Sequence, residues 1–244
     1  MLFTTAFLVA ATMVGVSQAQ TPTGFTPSVK TKLDVLFNST AVNTPGQQLT
    51  KAATASQPQI AITNASSSET FMFVMLDLDV PGQGGNATRR TLLHAMVTNF
   101  KATSQRVLGS SSTATSSTLL LSSQKGPASY LGPSPPATDT KAHRYVELLF
   151  QQPANLNVQA SDFANTQARI GFDINAFMKT NGIKAPLAGN FFTVDGRANG
   201  AATGSGTATG SGGIAKNTLQ PFTGASGRVG ASLGLAVIFG GLAL

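Results

Sequence analysis

The chain has no cysteine and no tryptophan, only two histidines and two tyrosines, and charged residues make up just 10% of its 244 positions. Each shortage excludes something. Without cysteine there is no disulfide framework, so any folded domain must hold together by packing alone. Without cysteine, and with two histidines, the usual ligand sets of a zinc site are missing, and no metal or cofactor is expected. Acidic residues are scarce too: nine Asp+Glu stand against 16 Lys+Arg, a net charge of +7. The basic side chains are scattered singly, apart from the pair Arg89-Arg90. That pattern supports a mild attraction to anionic groups but no nucleic-acid surface, which would need a clustered basic face.

Uncharged stretches mark the two ends. Residues 1 to 16 form an apolar run followed by Ser17-Gln18-Ala19, the small-residue cleavage pattern of a secretory signal peptide. The run is shorter than the ~20 residues a membrane-spanning helix needs, and cleavage is expected after Ala19. Residues 229–244 form a second uncharged, apolar run, preceded by a Gly/Ser/Thr-rich linker and spacer over 200–228. Small residues, a polar spacer and a terminal apolar tail make the pattern of a GPI-anchor signal, with Gly213, Asn217 and Gly224 as candidate attachment residues. The expected location is the secretory pathway and then the outer face of the cell membrane or the cell wall. Asn38, Asn64 and Asn86 open N-x-Ser/Thr sequons and are candidate glycosylation sites on surface loops.

Between these ends, residues 20–199 have the length of one domain with a core of its own. The reading is mainly β. Strands are expected at Leu33–Phe37, Gln59–Ile62, Phe71–Leu76, Leu92–Asn99, His143–Phe150 and Asn190–Val194. The unbroken apolar run Phe71–Leu76 is the pattern of a strand buried on both faces, expected to end at Asp77. The Ser/Thr-rich stretch from Ser104 to Ser123 is expected to be a mobile surface loop. One short helix is expected at Ile174–Lys179, with Asp173 as N-cap and Gly182 beyond its end.

Polar residues gather at strand ends. Asp77 and Asp79 close one strand, His94 opens another, and Tyr130 and the Gly132-Pro133 turn precede His143-Arg144-Tyr145. If the strand continues that far, alternation puts Asp77 and Asp79 on one face. Imidazole N–H groups and the Tyr130 hydroxyl can donate to an oxyanion, and a carboxylate such as Asp79 can orient a histidine. Ser134, His143 and Asp79 are also the residue types of a hydrolase triad. No G-x-S-x-G elbow accompanies them, and no enzyme is expected.

In Asp77-Leu78-Asp79-Val80-Pro81, His94, Gly132-Pro133-Ser134-Pro135-Pro136, His143-Arg144-Tyr145 and Leu187–Phe192, the chain resembles the phosphatidylethanolamine-binding protein (PEBP) family over about residues 25 to 196. The resemblance implies an antiparallel β-sandwich with a large central sheet, a smaller second sheet and few short helices. It also implies a small pocket for a phospholipid headgroup such as phosphoethanolamine, or another small anion. The matching pocket positions are Asp77, Asp79, Pro81, His94, Tyr130, Gly132, Pro133, His143 and Tyr145. Two departures stand out. Leu78 replaces the family's proline, and Asp139-Thr140-Lys141-Ala142 replaces a glycine-containing approach to His143, which is expected to reshape the rim. Other readings of the function are a secreted peptidase inhibitor or protein-interaction module, and a structural cell-wall glycoprotein.

Overall fold

A computed structural model describes residues 18–84, 87–108 and 116–198. The signal-peptide run, Asn86, the spacer, the apolar tail and the attachment candidates Gly213, Asn217 and Gly224 lie outside the described residues. The strands are β1 (Asp34–Phe37), β2 (Thr40–Ala41), β3 (Gln47–Leu49), β4 (Gln59–Ile62), β5 (Phe71–Val80), β6 (Arg90–Leu108), β7 (Ser116–Leu121), β8 (His143–Gln151) and β9 (Ala188–Val194). They form one nine-stranded sheet in the order β2-β1-β4-β7-β6-β5-β8-β9-β3. All neighbours are antiparallel except β3 and β9, which run parallel.

The long strand β6 makes this sheet a sandwich. Its first part pairs with β5, from Arg90 to Phe100, and its second with β7, from Lys101 to Leu108. The expected large and small sheets are therefore two halves of one curled sheet that share β6. Val35, Phe37, Ile60, Ile62 and Leu120 of one half pack with Phe71, Phe73, Met75, Leu149, Phe192 and Val194 of the other. Burying each such side chain contributes about 1.5–3 kcal/mol, which is how a cysteine-free domain holds together.

The outer face of the larger half is covered as well. Met72, Val74, Leu76, Val146, Leu148 and Phe150 pack under Phe163, Ile174 and Ile183. That second layer is why Phe71–Leu76 has no polar face. The helix α1 (Ile174–Thr180) belongs to it, and Asp173 caps α1 by accepting from the backbone N–H groups of Asn175 and Ala176. Gly182, at φ 62°, follows the helix, where a side chain would be strained.

Two expectations are corrected. β5 does not stop at Asp77 but runs to Val80, because β6 continues to pair beside it as far as Val80 and Arg90. The stretch from Ser104 to Ser123 is not one long loop: β6 continues to Leu108, and Ser116–Leu121 forms β7 between β4 and β6. Leu119 and Leu120 are buried there, so the serines and threonines around them ride on an apolar strand. Asn38 and Asn64 are exposed, at φ 49° and 62° in turns, a conformation asparagine tolerates better than most residues.

Candidate functional site

Three neighbouring strands bring the site together. β5 supplies Asp77, and β8 supplies His143 and Tyr145 on alternate, same-face positions. β6 supplies His94 through an irregularity. Met75 pairs with Ala95 and Leu76 with Leu93, so His94 is one extra residue against β5. Such a bulge re-aims a side chain out of strict alternation. The chain after Gly126 runs back along β6: Met96 and Ala128 exchange backbone hydrogen bonds, and the Leu131 N–H donates to the His94 carbonyl at 2.8 Å. Arg169 pins this segment from the far side by donating to the Ser129 carbonyl at 2.7 Å.

These pieces enclose a cavity of about 400 Å³. Asp77, His94, His143 and Tyr145, all buried, line it together with Pro81, Gly132, Ser134, Pro135 and Pro136. Leu92, Leu131 and Ile170 add apolar walls. Two larger grooves, of about 570 and 690 Å³, lie elsewhere on the surface. The 400 Å³ cavity is the one on which both histidines and a buried aspartate converge, and it is therefore the candidate site.

His143 sits between two carboxylates. Its Nδ1 is 2.7 Å from Asp77 Oδ2 and its Nε2 is 3.0 Å from Asp139 Oδ2. Burial opposes a charge on the ring, but the two carboxylates outweigh it and raise the His143 pKa above its usual value. Asp139 is itself gripped by the Arg89 guanidinium through both carboxylate oxygens. That contact, more than any other, holds its carboxyl far below the usual range.

His94 is different. Its Nδ1 is 2.8 Å from the Leu131 carbonyl oxygen, its ring meets Tyr145 edge-on at 5.1 Å, and its Nε2 is buried with no hydrogen-bond partner. Burial lowers its pKa despite the Leu131 hydrogen bond and the Asp77 charge. The Tyr145 hydroxyl is likewise buried, and it lies beside the Asp77 carboxylate without a well-formed hydrogen bond. Burial, and then the negative charge of Asp77, push its pKa far up, so it stays a neutral hydroxyl.

The other sequence candidates stand behind this wall or beside it. Asp79 does not touch either imidazole. It accepts from the Arg144 backbone N–H at 2.9 Å and from the Arg144 guanidinium at 2.8 Å through each oxygen. Asp77 combines the two roles open to it, since Oδ1 accepts the Asp79 N–H at 2.7 Å while Oδ2 holds His143. Tyr130 donates its hydroxyl to the Thr54 carbonyl at 2.6 Å, which anchors the loop entering the rim. Asp79, Tyr130 and Pro133 are not among the residues lining the cavity. Sequence reasoning missed Asp139 and Arg89 as site residues. The signal was present in the altered approach to His143 and in the Arg89-Arg90 pair.

Residues 39–192 match the family model described as phosphatidylethanolamine-binding protein. The chain belongs to this family. Among its relatives in the family is the "Phomoidride biosynthesis cluster protein N" of Talaromyces stipitatus, 35% identical over 76% of this chain and 93% of that protein. The "26 kDa secreted antigen" of Toxocara canis is 29% identical over 72% of this chain and 61% of its own length. A solved carboxypeptidase Y inhibitor, crystallised with its cognate proteinase, shares the fold at a TM-score of 0.51 and 22% identity, covering 69% of this chain and 84% of that one. The PEBP fold and family are thus shown by matches that span most of the domain.

Proposed function

We propose that this PEBP-family chain is an exported, surface-tethered binding protein whose 400 Å³ cavity holds a phosphate-type anion, such as the phosphoethanolamine headgroup of a phospholipid. The observation that carries the reading is the inner wall. Asp77, His94, His143 and Tyr145 arrive from three strands; His94 Nε2 is buried without a hydrogen-bond partner, and the Tyr145 hydroxyl is buried beside Asp77 without a well-formed one. Leaving a buried polar atom unpaired costs about 1–3 kcal/mol, and an oxyanion that pairs with these atoms, as donor to Nε2 and acceptor from the hydroxyl, would recover that cost. Asp77 is balanced by His143 and Asp139 by Arg89, so an anion entering the cavity meets no uncompensated negative charge. Pro81 and Gly132 shape the rim, while Asp79, Tyr130 and Pro133 support it from behind. Export and the GPI tether rest on the two terminal sequence patterns, and a secreted relative agrees with export.

Calorimetric titration with O-phosphoethanolamine tests this. Binding is expected at pH 5.5, weaker at pH 7.5, and largely lost in His94→Ala. Binding that strengthens as pH rises overturns the reading. Peptidase inhibition is the second reading, raised by the inhibitor that shares the fold. It predicts inhibition of carboxypeptidase Y that survives His94→Ala. A purely structural wall glycoprotein would show neither activity.

A further inference from the structure

The two imidazoles of the cavity are not interchangeable. Both His143 nitrogens face carboxylate oxygens, which only accept, so both donate and His143 has no N–H left for a ligand. At His94 the Leu131 carbonyl also only accepts, so Nδ1 carries the ring's proton. In the neutral ring Nε2 is then a bare lone pair. It is buried, unpartnered, and 3.9 Å from Asp77 Oδ2. One acceptor faces another across a gap too long for a direct hydrogen bond. The charged and titratable groups around the ring are Asp77 on β5, His143 and Tyr145 on β8, and Arg169 beyond them. A second proton on His94 would have to form in a buried setting beside two cations.

Resting on the anion reading above, we propose that the inner end of the cavity is selective for an oxyanion that brings its own proton, one whose O–H donates to His94 Nε2. The Tyr145 hydroxyl is the matching donor to a bare oxygen of the same ligand. Hydrogen phosphate fits this pattern. Sulfate has the same charge and nearly the same size, but it offers only acceptors to an acceptor. A phosphate monoester fits while it keeps one proton, below its second pKa of about 6, so monoester affinity falls above that pH.

The test is a pair of calorimetric titrations of the wild-type protein at pH 8, with inorganic phosphate and with sulfate, repeated on His94→Gln. A site built around a ligand hydrogen bond discriminates strongly against an analogue lacking it, so sulfate is expected to bind roughly 10²-fold or more weakly than phosphate. The Gln side chain can turn its NH2 toward the anion and is expected to bring the two within about tenfold. Comparable binding of both anions to the wild type overturns the selectivity and leaves the anion site standing. Binding of neither overturns the anion site and the selectivity together. Wild-type selectivity that persists in a folded His94→Gln overturns the assignment to His94. The wild-type comparison needs no variant, so a His94→Gln that fails to fold leaves a decisive result.

Discussion

Asp139 Oδ2 lies 3.0 Å from His143 Nε2, across the imidazole from Asp77. The carboxylate takes up the second N–H of the His143 ring, and Arg89 holds it there. Asp139→Ala removes this internal competitor and frees a charged N–H. A charge-assisted hydrogen bond contributes about 1.5–3 kcal/mol, so phosphate affinity is expected to rise about tenfold by calorimetry. An unchanged or weaker affinity in a folded variant would show that Asp139 does not obstruct the site. His143 should also lose part of its raised pKa, which an NMR titration of the ring reads directly.

Tyr145 separates stability from binding. Its ring is fully buried and stacks on Phe192 at 5.2 Å, while its hydroxyl lies beside Asp77 without a well-formed hydrogen bond. Tyr145→Phe keeps the ring and removes a buried hydroxyl that lacks a well-formed hydrogen bond. The melting temperature is expected to hold or rise slightly, while phosphate affinity falls about tenfold, the worth of one hydrogen bond to a charged ligand. Retained affinity would remove Tyr145 from the anion site.

The parts of this protein legible in its sequence were those set by local pattern. The double-sided burial of Phe71–Leu76, the alternation of His143 and Tyr145, and the Asp173 cap of α1 each depend on neighbours a few residues away. What escaped depends on pairing between distant segments. His94 reaches the cavity through a bulge against β5, which the run Leu92–Asn99 does not reveal. Asp77 and Asp79 were expected on one face, but a further irregularity between Asp77 and Val80 intervenes, and the two serve different partners, His143 and Arg144. The strand at Ser116–Leu121 was hidden by its serines and threonines, because its place between β4 and β6 is a matter of register.

Gly196 should control the rim from outside the cavity. A Cβ there would stand 2.6 Å from the Pro135 carbonyl oxygen and closer still to that of Pro136, and both prolines line the site. Gly196→Ala must push this wall or the end of the domain aside. Phosphate affinity is expected to fall severalfold while the strand content measured by circular dichroism stays unchanged. Gly24→Ala, a control with nothing within 4 Å of its Cβ but a φ of 82°, should cost stability without changing affinity.

Glu147 gives the fold a dependence on pH that is separate from the site. It is 0% exposed, and neither carboxylate oxygen has a hydrogen-bond partner. Asn190, directly across on β9, is equally buried, yet its amide nitrogen donates to the Leu33 and Val42 carbonyls. Burial raises the Glu147 pKa well above its ordinary value, so the folded protein keeps the carboxyl neutral to higher pH than the unfolded chain does. In the unfolded chain the group ionises near pH 4.5. Its contribution to stability is therefore complete below that pH and is lost as pH climbs from there toward the folded pKa, by at most about 1.4 kcal/mol per unit. His143, also raised, adds a loss that begins near its unfolded value of ~6.5. Glu147→Gln is neutral at every pH. The melting temperature of the variant relative to wild type is expected to climb as pH rises from 4.5 toward the folded pKa, while the later decline owed to His143 remains in both proteins. A constant difference across that range would mean that Glu147 is ionised inside the folded core.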